Sequence, residues 1–152
     1  MSSENQFKLT YATMFNPPEE LHVRFEQALQ QIKASLGQEH AMFIDGKDAF
    51  AKEKFEDRNP ANTDEVLGIF QKGDADDAHA AIQAARKAAH MWEHTPWQER
   101  VALIRKAAAI MDERIFEIGA VVSLEVGKNR MEALGDVAET ADLFRYACDR
   151  ME

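Results

Sequence analysis

Residues 74–94, DADDAHAAIQAARKAAHMWEH, admit one regular conformation. Ala78, Ile82, Ala85, Ala89 and Trp92 recur at steps of four and three, which gathers them into one stripe of an α-helix. Asp74 stands at the N-cap position with Asp77 three residues on, and Pro96 ends the segment. Downstream, Val101, Ile104, Ala108 and Met111 make another stripe. Ile115, Ile118 and Val122 continue it, in the same helix or a second one, until Gly127 stops it beside Lys128. The last segment, 129–152, places Met131, Leu134, Ala138, Ala141 and Cys148 on one side and Glu132, Asp136 and Glu139 nearer the other, again as a helix. Residues 145–152 contain no Gly, Asn or Pro to cap that helix, so the chain is expected to be cut rather than finished.

Upstream the pattern shortens. Glu65 to Lys72 carries Val66, Leu67, Ile69 and Phe70, and Lys54 to Arg58 precedes it across the turn residues Asn59-Pro60-Ala61-Asn62-Thr63, which reads as a strand pair. Before it, Met42-Phe43-Ile44 runs into Asp45-Gly46, a dipeptide suited to the positive φ angles of a type I′ turn, and then Lys47 to Phe50, a second short hairpin. Pro17-Pro18 opens a leader in which Leu21, Phe25, Leu29, Ile32 and Leu36 repeat with helical spacing, and Gly37 stands where a left-handed C-cap would. The expected organisation is an N-terminal arm (1–16), a leader helix (17–37), two hairpin-like strand pairs (38–73) and a helical layer (74–152). The fold class is therefore α+β, mostly helical with two short β-hairpins. No internal repeat or low-complexity linker interrupts it.

Composition narrows the function. A chain of 152 residues with 45% apolar content can fill one core without disulfides or structural metal. A net charge of −9, from 27 acidic and 18 basic residues, argues against a nucleic-acid or anionic-membrane surface, since both need clustered positive charge. Small-molecule and protein partners fit better. The single cysteine, Cys148, allows no intrachain disulfide and suits a reducing compartment. Residues 1–10 show no signal-peptide pattern, and no apolar run approaches the roughly 20 residues needed to cross a bilayer. A soluble, cytoplasmic protein is expected.

Several local patterns suggest chemistry. His90-Met91-Trp92-Glu93-His94 matches the H-x-x-E-H signature of inverted zinc peptidases. A catalytic zinc also needs a third protein ligand on an adjoining element, and none is recognisable, so a polar helix end with two solvent-facing histidines is preferred and no metal is expected. Asp74, Asp76 and Asp77 begin like a calcium loop, but Ala85 occupies the position of the bidentate glutamate, and helix capping accounts for them. Gly127-Lys128 fails as a phosphate loop because Asn129 follows the lysine and no glycine lies five residues before Gly127. Cys148 lies on an apolar stripe with no histidine after His94, which reads as a core thiol rather than a nucleophile. No G-x-G-x-x-G follows a strand, so no dinucleotide site is expected within the chain.

Taken in order, Phe43-Ile44-Asp45-Gly46-Lys47, Asn59-Pro60-Ala61-Asn62, the Ala-rich helix ending at Trp92, Glu99-Arg100, Glu125-Val126-Gly127-Lys128-Asn129 and Glu132-Ala133 resemble the start of an aldehyde dehydrogenase. The leader helix before Glu39-His40 and the run Asp136 to Tyr146 are similar to the 1-pyrroline-5-carboxylate dehydrogenase branch, which oxidises L-glutamate γ-semialdehyde. The resemblance covers about residues 7–152. It implies the N-terminal part of an α/β enzyme, truncated before its nucleotide-binding sheet, serving proline degradation. It also implies NAD as the cofactor of the complete protein, a small-molecule aldehyde as substrate, the remainder of the dehydrogenase chain as partner, and a homo-oligomer when complete. In such enzymes a cysteine thiolate attacks the aldehyde, hydride passes to the nicotinamide, and a glutamate-activated water hydrolyses the thioester. The resemblance places those groups later in the chain, so no catalytic or cofactor-binding residue is expected here.

One residue stands out through the resemblance. Glu139 matches a glutamate near the α-amino group of the semialdehyde in that branch, where a carboxylate would pair with an ammonium. By itself the residue reads as a solvated helix acid; the resemblance brings the two readings level, and both stay open. Glu125 aligns with a position that helps hold a monovalent cation in some relatives, with a helix-end carboxylate near Lys128 as the preferred account. A second function class is a stand-alone helical interaction module descended from the family, against which the uncapped final helix weighs.

Overall fold

A computed structural model describes residues 16–152. The expected N-terminal arm falls almost wholly outside that range. The described chain forms five α-helices and five short strands. Helix α1 spans Glu19–Lys33. Strands β1 (Gln38–His40), β2 (Met42–Ile44), β3 (Lys47–Ala49), β4 (Glu53–Arg58) and β5 (Val66–Lys72) follow. Helices α2 (Ala75–His94), α3 (Trp97–Glu113), α4 (Ile115–Val126) and α5 (Arg130–Met151) complete it.

Both expected hairpins are present. Strands β2 and β3 pair antiparallel around Asp45 and Gly46, whose φ angles of 52° and 76° are those a type I′ turn requires. Strands β4 and β5 pair antiparallel, with an irregularity between Asp57 and Arg58. The turn between them is built by Asn59, whose Oδ1 accepts from Ala61 N at 2.9 Å while its Nδ2 donates to Glu65 at 2.7 Å.

Upstream of β2, two features depart from the sequence reading. Gln38–His40 form β1, which pairs parallel with β5 to give a three-stranded sheet in the order β1-β5-β4. The leader helix stops at Lys33 instead of reaching Gly37. Ala34 N donates to Gln30 O at 3.1 Å and Ser35 N to Ile32 O at 2.9 Å, tightening the last turn. Gly37 keeps its positive φ of 75°, but it serves the entry to β1, where its N–H donates to Leu67 O at 3.0 Å.

The core lies between α1, α4 and α5. Leu21, Phe25 and Ala28 from α1 meet Phe116 and Ala120 from α4 and Leu134 from α5. Gly119 permits the α4–α5 approach, since a Cβ at that position would stand 2.8 Å from Leu134 Cδ2. Helix α3 packs on α5 through a second buried set that includes Val101, Ala108, Ala141 and Cys148. The stripe expected along α4 is rotated from the one read in sequence: Phe116, Gly119, Ala120 and Leu124 are buried, whereas Ile115, Ile118 and Val122 are half-buried. Arg114 breaks helical geometry with φ −102° and ψ 18°, so the long stripe resolves into α3 and α4. Gly127 ends α4 in the left-handed conformation, as expected.

Helix α2 is the exception. It has the expected capping box, with Asp74 Oδ1 accepting from Asp76 and Asp77 and Asp77 Oδ2 accepting from Asp74 N. Yet no residue of α2 is buried, and the stripe residues Ile82 and Trp92 remain 49% and 44% exposed.

Candidate functional site

Glu139 sits in the middle of α5, on the side opposite the residues that bury against α3 and α4. The period of the helix explains this: Leu134, Val137, Ala141 and Cys148 take the inner face and leave Glu139 exposed. Asn129 starts the helix by accepting from Met131 N at 3.0 Å and Glu132 N at 3.1 Å, which sets where the faces fall. The neighbouring acids are engaged. Asp136 takes Lys128 Nζ at 2.5 Å, and Asp142 takes Arg145 at 3.2 Å, with Arg145 also bonded to Asp112 on α3. Among the described residues Glu139 makes no ion pair, so its carboxylate is available to a cationic ligand.

Lys128 turns toward Asp136, whose hydrogen bond raises the lysine above its ordinary pKa. Glu125 is an exposed carboxylate in the last turn of α4, and Lys128 is committed elsewhere. It borders a cleft of about 250 Å³ between α1, α4 and the sheet, lined also by Leu36, His40, Leu67 and Phe70. His40 stacks on Phe70 with ring centroids 4.9 Å apart.

The other sequence candidates are scattered. His90 and His94 stack on each other at the exposed end of α2, and no group of three His, Cys, Asp or Glu side chains converges for a metal among the described residues. Cys148 is buried, with Sγ 3.7 Å from Val101 O. Asp74 and Asp77 cap α2. The junction of β5 and α2 is the one strand-to-helix step among the described residues, and it does not suit a dinucleotide: Asp74 already occupies two of the amides a pyrophosphate would need and adds negative charge. The structure therefore offers no fit for NAD at that junction. The sequence reading missed an apolar cleft of about 180 Å³ where Trp92, Trp97, Val101 and Ile104 meet Cys148 and Met151. Its residues lie on three helices, and no local pattern brings those together.

The model of the aldehyde dehydrogenase family matches residues 47–152. The chain belongs to that family. It is 37% identical over 133 residues to a 1-pyrroline-5-carboxylate dehydrogenase of Bacillus pumilus, covering 88% of this chain and 26% of the relative. A second relative of the same description from Bacillus subtilis is 35% identical over 127 residues, covering 84% of this chain and 25% of the relative. Among solved structures, 1-pyrroline-5-carboxylate dehydrogenase from Thermus with bound NAD superimposes with a TM-score of 0.84 at 35% identity, over 88% of this chain and 26% of that one. The proline utilization A protein of Bdellovibrio bacteriovorus superimposes with a TM-score of 0.86 at 30% identity, over 97% of this chain and 16% of that one. The chain thus spans about a quarter of the length of the curated relatives it matches.

Proposed function

We propose that this chain is the N-terminal part of an NAD-dependent dehydrogenase that oxidises L-glutamate γ-semialdehyde to glutamate in proline degradation. The observation that carries the proposal is the 37% identity to a 1-pyrroline-5-carboxylate dehydrogenase over 88% of this chain. The helical layer (74–152) and the two strand pairs (38–73) buttress the cofactor domain and one wall of the substrate tunnel. NAD, the nucleophilic cysteine and the general base belong to the remainder of the dehydrogenase, which works as a cytoplasmic homo-oligomer. Glu139 is the substrate contact: an exposed carboxylate with no ion pair among the described residues suits the α-ammonium of the semialdehyde.

A chimera tests this. Residues 1–152 replace the matching segment of the Bacillus pumilus relative, and NADH formation is followed with the semialdehyde. Activity within about tenfold of the parent is expected. In that chimera Glu139→Gln should raise KM about tenfold and leave kcat within about twofold, as loss of one charge-assisted contact to the bound substrate would. A folded chimera without activity overturns the dehydrogenase proposal, and an unchanged KM overturns the role of Glu139. Should the 152-residue chain alone melt cooperatively as a monomer and bind NAD, the proposed division of labour is wrong. A dye-silent monomer that melts cooperatively without NAD binding favours the interaction module.

A further inference from the structure

We propose that His90 and His94 form a two-histidine chelate for a divalent transition-metal ion, Cu²⁺ above others, at the exposed C-terminal end of α2. The two residues are one helical turn apart, and their rings lie face to face with centroids 4.3 Å apart and planes 25° apart. Stacked rings point their in-plane lone pairs nearly parallel, so binding turns the side chains about χ until one nitrogen from each reaches a single ion at about 2 Å, the usual metal–imidazole distance.

The hydrogen bonding prepares one ligand. His94 Nδ1 lies 2.8 Å from His90 O. A carbonyl oxygen only accepts, so Nδ1 carries the hydrogen and Nε2 keeps its lone pair for a metal. A backbone carbonyl holding the far nitrogen is the support that metal-bound imidazoles ordinarily have. The position also favours a cation, because the last turn of a helix carries partial negative charge and the chain as a whole is at −9. Nothing covers the pair among the described residues, since α2 buries no side chain there. Two protein ligands leave the remaining positions to water, so the ion is exchangeable, unlike the enclosed ion of a four-ligand structural site. Imidazole ligands and the general affinity order of divalent ions select Cu²⁺.

Copper titration of the 152-residue chain, followed by electron paramagnetic resonance, tests the site. One Cu²⁺ per chain with coupling to imidazole nitrogen is expected. His90→Ala and His94→Ala should each weaken binding at least about tenfold, because the second ligand of a chelate acts at high effective concentration. His79→Ala, on the same exposed helix, should leave affinity unchanged. Binding by the His90 and His94 variants as tight as by the unsubstituted chain, or an equal loss in His79→Ala, means an adventitious ion only and overturns the proposal. Amide exchange is the second readout: Cu²⁺ should slow exchange in the last two turns of α2 in the unsubstituted chain and not in His94→Ala, and no slowing in the former is equally contrary.

Discussion

At the residue scale, the contact between Gly119 and Leu134 limits what the core accepts. Leu134 is 1% exposed, and Leu134→Ala removes its packing from the centre of the α1–α4–α5 core, which should lower unfolding stability by about 2–5 kcal/mol in urea titration. Gly119→Ala puts a methyl 2.8 Å from Leu134 Cδ2. Alanine ordinarily favours a helix over glycine by about 1 kcal/mol. Here the clash should outweigh that gain and destabilise by about 1–3 kcal/mol, the range of core overpacking. The same titration decides the sign. Three carboxylates add a pH dependence. Lys54 and Gln71 bonded to Glu39, Asn59 bonded to Glu65, and the Asp77 and Asp76 amides bonded to Asp74 hold each below its ordinary pKa. A folded-state pKa below the unfolded one means the unfolded chain binds more protons in acid, so the stabilisation is present above about pH 4 and is lost as pH falls through the depressed values. Midpoints measured between pH 6 and 2 should fall in acid, and Glu65→Gln should flatten that fall.

At the element scale, α2 and α5 make a pair of opposites. Both are long and properly started, α2 by Asp74 and α5 by Asn129, but α5 buries five residues and α2 none. Amide exchange of the 152-residue chain should therefore be faster across the middle of α2 than across the middle of α5, on the order of tenfold or more, because only α5 requires opening of the core to exchange. Equal protection in the two would contradict the packing. Asn129→Ala removes the side-chain acceptor for two amides and should cost about 1 kcal/mol, read as a shift in the thermal midpoint. Elements with local causes were legible. The Asp74 capping box, the Asp45-Gly46 turn and the Gly127 stop are each made by residues within a few positions of one another. Strand β1 was not, because Gln38, Glu39 and His40 are polar and exposed and become a strand only through parallel pairing with β5. Gln71 secures that pairing by donating to Glu39 and to His40 O, both at 3.0 Å, across a long sequence interval.

At the scale of the whole molecule, the exposed apolar surface is the dominant fact. Ile82, Met91, Trp92 and Trp97 sit outside the core, and a charge of −9 opposes association without covering them. The 152-residue chain alone should bind a hydrophobic dye and show concentration-dependent sedimentation; a dye-silent monomer at all concentrations would mean that this surface is covered in solution. No helix among the described residues is long and apolar enough to cross a membrane.

The sequence by itself determined the helical segments, both hairpins, the Asp74 capping box, the Gly127 stop and the family, because periodicity, turn chemistry and ordered motifs are properties of neighbouring residues. It also singled out Glu139, through resemblance rather than through any pattern that distinguishes one exposed helix acid from another. Tertiary structure decided the rest: which face of α4 is buried, that Lys128 belongs to Asp136, that β1 joins β5, and that no residue of the α2 apolar stripe is buried. A stripe states that a face is apolar, and what lies against it depends on residues far away in the chain.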